Sequence, residues 1–188
     1  PPNLEEFKIS LLWLKDKVLN GQGGACYAYC YAYNLSRTDA PEMLDLAVKI
    51  WLYAKLLVYA DGARAEDPTA WQKKMRQLEV SMKTIYAWYD RGDENLKNAQ
   101  LWQALELEER TKSRAKDVWL NSGGASYMKK YLEKHGKPAE DKDLSEDTGV
   151  LEDETILPDF ISDEEWQEKR KKVRQEFIER FRQEGGIW

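Results

Sequence analysis

The side chains that could do covalent or acid–base chemistry are few and far apart. A single histidine, His135, stands beside Lys134 near a helix end, where the helix dipole favours a surface cation. Cys26 and Cys30 are four residues apart and can share a helix face, but two thiols with no second ligand pair do not close a zinc site. The acid pair Asp141/Asp143 and the run Glu152, Asp153 and Glu154 lie in a polar stretch, where nothing holds the spacing that paired catalytic carboxylates need. The chain contains no GxSxG, HExxH or CxxC. The sequence therefore predicts a non-enzyme with no catalytic residue, no metal site and no cofactor.

Glycine is the next candidate. "LNGQGGACY" at 19–27 is echoed by "LNSGGASY" at 120–127, each copy following an amphipathic helix and opening another element. One reading is a loop that offers backbone N–H groups to a phosphate at a helix start. The other is a pair of similar helix ends followed by tight corners. There is no GK[ST], and a helix precedes each loop where a phosphate loop needs a strand, so the corner reading is preferred.

The strongest binding signal is "WQKKMRQLEVSMKTIYAWYDRG". This stretch resembles the helix-turn-helix of many bacterial and phage DNA-binding proteins, whose second helix often begins VS–x–x–T–I–Y–x–W. Here those residues are Val80, Ser81, Thr84, Ile85, Tyr86 and Trp88. The physical expectation for residues 69–91 is that Leu78, Val80, Ile85 and Trp88 point into the seam between two steeply crossing helices. Ser81 caps the second helix. Met82, Lys83, Tyr86 and Ala87 then face the groove, flanked by Lys73, Lys74, Arg76 and Arg91 as phosphate contacts. Glu79 stands where the motif usually has a left-handed Gly, and Met75 where it usually has Ala. The resemblance implies double-stranded DNA as partner, with Lys83, Tyr86 and Arg91 the best candidates for direct contact.

The elements that must position these residues are helical. Asn3 with Glu6 starts a first helix, and Phe7, Leu11, Leu14 and Val18 form its stripe. "ACYAYCYAYNL" carries tyrosines at a strand-like period of two, but no other convincing strand exists to pair with, so helix is the better reading. Asp39 and Pro41 start a helix to about Ala60 that is apolar on nearly every face, the central core helix. Three charges interrupt its apolar run, which excludes an unaided membrane span. Residues 95–120 read as one long helix with Leu96, Ala99, Trp102, Leu105 and Val118 inward, and a shorter helix ends near Gly136.

Charge divides the chain. The net charge is −5, yet residues 139–165 alone hold twelve acids and one Lys, so the remainder is net +6. The expected organisation is thus an all-α helical bundle over 1–136, an acidic linker over 137–161, and a separate C-terminal amphipathic helix and tail over 162–188. Ser162 and Glu165 form the capping box of that last helix, and Trp166, Val173, Phe177 and Phe181 line one narrow seam. Such a seam needs a partner: its own bundle, another subunit or another protein. Trp188 on the tail is a further candidate docking anchor. With two cysteines and no leader-like start, an intracellular, cytoplasmic setting is expected. The leading function is a non-enzymatic DNA-binding and assembly protein of regulatory or phage-packaging type, and it implies a homo-oligomer. The competitor is a helical scaffold or adaptor acting through protein contacts.

Overall fold

The computed structural model describes residues 3–38, 40–122, 124–136 and 155–184. These residues form an all-α fold. Its first five helices are α1 (Leu4–Leu19), α2 (Gly24–Ser36), α3 (Pro41–Gly62), α4 (Ala70–Glu79) and α5 (Lys83–Arg91). Four more follow: α6 (Glu94–Arg110), α7 (Val118–Asn121), α8 (Ala125–His135) and α9 (Asp163–Glu184). The tyrosine-rich stretch is helical, as α2. Caps expected from sequence are in place: the Asn3 side chain accepts from Glu5 N–H at 3.2 Å, and Ser162 Oγ accepts from Glu165 N–H at 3.1 Å.

Helix α3 is the axis of the core, because a helix that is apolar all round is stable only when surrounded. Helices α2, α5, α6 and α9 pack round it, while α1 lies outside and packs on α2. Its one buried cation is Lys55.

The long helix expected over 95–120 is broken. Helix α6 ends at Arg110, residues 111–117 turn, and Asp117 caps the short α7 by accepting from Leu120 N–H at 2.8 Å. The turn carries Arg114 inward, where its guanidinium grips Asp61 at 2.6–3.0 Å. The buried face of α6 is also rotated from expectation. Leu101, Ala104, Leu105 and Leu107 face the core, while Leu96, Ala99, Trp102 and, on α7, Val118 are exposed.

The expectation of a separate C-terminal helix is corrected. Helix α9 packs on α3, burying Trp166, Phe177 and Phe181, with Val173 packed partly buried beside them. The seam's partner is its own bundle. The Trp166 indole Nε1–H donates to the Ala60 carbonyl at 2.9 Å, and the guanidinium groups of Arg64 and Arg114 lie 4.2 and 5.5 Å from its ring centre. Around it runs a buried ionic network. Arg170 takes both oxygens of Glu108 at 2.7 Å, Arg114 reaches Glu108 at 3.0 Å, and Arg174 adds a further contact to the same carboxylate. Burial works to raise the Glu108 pKa, but these cations more than offset it and hold the carboxyl below its ordinary value.

Of the proposed acidic linker, residues 137–154 lie outside the described residues, as does Trp188. Residues 155–162 form a strap in which Ala65 bridges Phe160. Glu66 N–H donates to Asp159 O and Ile161 N–H to Arg64 O, each at 3.0 Å.

Candidate nucleic-acid interface

Helices α4 and α5 do form two consecutive elements at 70–79 and 83–91, but their register differs from the expected motif. Helix α5 begins at Lys83 with Met82 at the cap position, and no side chain caps it, so Ser81 does not play the capping role assigned to it. Met82, expected to face a groove, is 2% exposed in the core, and Val80, expected in the seam, is 70% exposed. Glu79 is still helical and Val80 has φ −54°, so neither adopts the left-handed turn of the motif.

Glu79 accounts for this shift. Its carboxylate accepts from the hydroxyls of Tyr29 and Tyr86 and from Trp51 Nε1 at 3.4 Å, and lies 3.7 Å from Lys55 Nζ. Lys55 in turn sits over the Trp51 ring at 4.8 Å. Burial lowers the Lys55 pKa, with Glu79 opposing that fall, while burial and Glu79 together raise the Tyr86 pKa. The acid that disturbs the motif is therefore a core hub tying α2, α3, α4 and α5 together.

Two of the assigned contact residues are spent inside the fold. Lys74 is 4% exposed with its ammonium 4.6 Å over Trp119, and Tyr86 is half-buried on Glu79, so neither is placed to meet a nucleic acid. Leu78 and Ile85 pack inward, and Trp88 ties α5 to α3 through Asp45 at 2.8 Å. Lys73, Arg76, Ser81, Lys83 and Arg91 remain exposed. On α5, Lys83, Ala87 and Arg91 follow one another at four-residue steps along the outer face, beside a shallow hollow shared with Leu44, Thr84 and Trp88.

The two glycine loops are matched joints. Asp117 Oδ2 accepts from Ala25 N–H at 3.3 Å at the start of α2, while its Oδ1 caps α7. Asp67 Oδ2 accepts from Ser126 N–H at 2.8 Å and from its hydroxyl at 3.2 Å at the start of α8, while its Oδ1 takes Thr69 N–H at 2.8 Å and the Thr69 hydroxyl at 2.6 Å. An internal carboxylate occupies the place where the phosphate reading put an anion. Glycine is needed for the approach: a β-carbon at Gly24 would lie 2.0 Å from Asp117 Oδ2, and one at Gly124 would lie 2.4 Å from Asp67 Oδ2.

Away from the two helices, the largest exposed apolar row lies on α1. Ile9 and Leu12 are about two-thirds exposed, at 65% and 64%, and Trp13 is 48% exposed, with Leu4 also outside. The stripe read from the sequence is the side that packs inward, with Leu14 and Val18 buried and Phe7 and Leu11 partly so; the exposed row on the other side was not singled out. Among the described residues no helix is long and apolar enough to cross a membrane, and no group of three or more His, Cys, Asp and Glu side chains could hold a metal ion. No known protein family, curated protein or solved structure matches the chain.

Proposed function

We propose that the chain is a non-enzymatic helical assembly protein that pairs with a second copy through the outer face of α1. The observation that carries this reading is the exposed row Ile9, Leu12 and Trp13 on a helix whose other face is already buried. A helix apolar on both faces loses stabilisation unless the second face is covered, at roughly 1.5–3 kcal/mol per large side chain buried. Every copy presents the same row, so two copies can cover one another across a twofold axis. Ile9→Glu with Leu12→Glu should convert a concentration-dependent dimer into a monomer with unchanged helix content, as read by sedimentation and circular dichroism. A wild-type chain that stays monomeric at every concentration overturns the reading.

A second reading has its own support. Lys73, Arg76, Lys83 and Arg91 are exposed on α4 and α5, whose inner faces are committed to the core. Such a surface suits contacts with the phosphate backbone of duplex DNA better than base reading, because Met82 and Tyr86 are turned away. Retention on duplex DNA should then fall steeply with salt, and more steeply in wild type than in Lys83→Glu with Arg76→Glu. Equal retention of the two proteins removes this reading.

A further inference from the structure

The hollow on the outer side of α5 measures about 520 Å³ and is lined by Leu44, Lys83, Thr84, Ala87, Trp88 and Arg91. That volume falls in the range of about 300–1,000 Å³ usual for sites that take small organic molecules. Its floor is apolar and fixed. Leu44 belongs to the buried core, and the Trp88 indole N–H donates to Asp45 at 2.8 Å. With its one donor committed to Asp45, the indole offers a ligand only apolar contact.

The charged groups of the wall are all of one sign. No carboxylate lines the hollow, and among the described residues neither Lys83 nor Arg91 has an ion pair, nor the Thr84 hydroxyl a hydrogen bond. Other surface lysines are matched: Lys8 with Glu5, Lys112 with Glu109, Lys169 with Glu165 and Lys171 with Glu168, at 2.6–3.0 Å. The Arg91 guanidinium lies 6.0 Å from the centre of the Trp88 ring, beside the apolar floor. An apolar floor bordered by unmatched cations selects an anion with an apolar body. A single guanidinium fork fits the two oxygens of a carboxylate. A phosphate dianion is better served by donors converging on one point, and Lys83 stands two turns from Arg91, roughly 12 Å along the helix.

We propose that this hollow is a binding site for an aromatic carboxylate. The ring of the ligand rests on Leu44, Ala87 and Trp88, its carboxylate takes the Arg91 guanidinium, and Lys83 draws the anion in by charge. The site lies apart from the pairing face of α1 and needs no duplex. The test is isothermal titration of the full chain with cinnamate, its neutral analogue cinnamamide, and phenyl phosphate, with the Trp88 indole N–H followed by NMR to place the ligand. Wild type should take up one equivalent of cinnamate, shift the Trp88 signal, and hold cinnamamide about tenfold less firmly. Arg91→Ala should weaken cinnamate about tenfold and Lys83→Ala about threefold, each with wild-type circular dichroism. Lys15→Ala, which removes an exposed and equally unmatched cation on α1, should change nothing. No DNA enters these titrations, so failure of the duplex reading leaves the site standing. Equal affinity for cinnamate and cinnamamide, tighter binding of phenyl phosphate, a Trp88 signal that does not move, or an equal loss in Lys15→Ala would overturn the site. So would the absence of uptake at millimolar cinnamate.

Discussion

The joint between Gly24 and Asp117 and the joint between Gly124 and Asp67 are built from the same parts, yet they hold their charge differently. In each, one carboxylate oxygen serves the segment that follows the Asp and the other receives the N-terminus of a distant helix. Burial pushes the Asp117 carboxyl up to about 6, helped by the Asp61 carboxylate and only partly offset by the Leu120 and Ala25 amides. At Asp67 the small burial effect also works upward, but the hydrogen bonds from Thr69 and Ser126 overcome it and hold the carboxyl at about 2. The lesson is that hydrogen-bond geometry alone does not fix the ionisation of a carboxylate. The water left around it and the charges behind it decide the sign.

The comparison can be broken in order of expected effect. Gly24→Ala should cost the most, about 3–4 kcal/mol in denaturant unfolding, because φ is +57° and the new β-carbon meets a carboxylate already held by the Ala25 and Leu120 amides. Gly124→Ala should cost about half as much. Its φ is not left-handed, though the β-carbon also approaches the Ala70 backbone at 2.9 Å.

The next effect is in pH. Because the folded pKa of Asp117 lies above the ordinary 3.8, its contribution to stability is complete below about pH 4 and is lost as pH rises through 6. Unfolding free energies from pH 4 to 7 should show a fall of about 2–3 kcal/mol in wild type relative to Asp117→Asn, whose curve lacks this step. Parallel curves would show that Asp117 is not held up.

At pH 7, Asp67→Ala should destabilise by about 1–2 kcal/mol through loss of its helix-end contacts. The smallest effect should be the mirror image of the Asp117 step. The Asp67 contribution is present above about pH 4 and declines as pH falls toward 2, so acid unfolding of Asp67→Asn should be less steep than that of wild type.

What could be read from sequence was local. The Asn3 and Ser162 caps, the Pro41 start and the all-round apolarity of α3 act within a turn or two, and the structure shows each of them. What could not be read depended on partners far along the chain. Residues 111–117 contain neither Gly nor Pro, and they leave the helix to bring Arg114 to Asp61, fifty-three residues away. Glu79 looked like a misfit in a turn because Tyr29, Trp51 and Lys55 are invisible to a pattern read over 22 residues. The seam of α9 was legible as a stripe but not as to its owner, since Trp166, Phe177 and Phe181 would look the same facing another subunit. Of the candidate contact set, exposure retained Lys73, Arg76, Ser81, Lys83 and Arg91 and withdrew Lys74 and Tyr86.

The attachment of α9 has a consequence for the order in which the chain can mature. The helix delivers both an aromatic plug and the cations that neutralise Glu108, and it is separated from α6 by more than fifty residues. Until Arg170 and Phe181 have emerged from the ribosome, the side of α3 that α9 covers faces water and Glu108 lacks two of its three arginines. A nascent chain paused before residue 163 is therefore an unfinished core, with apolar surface and a carboxylate exposed that α9 later covers.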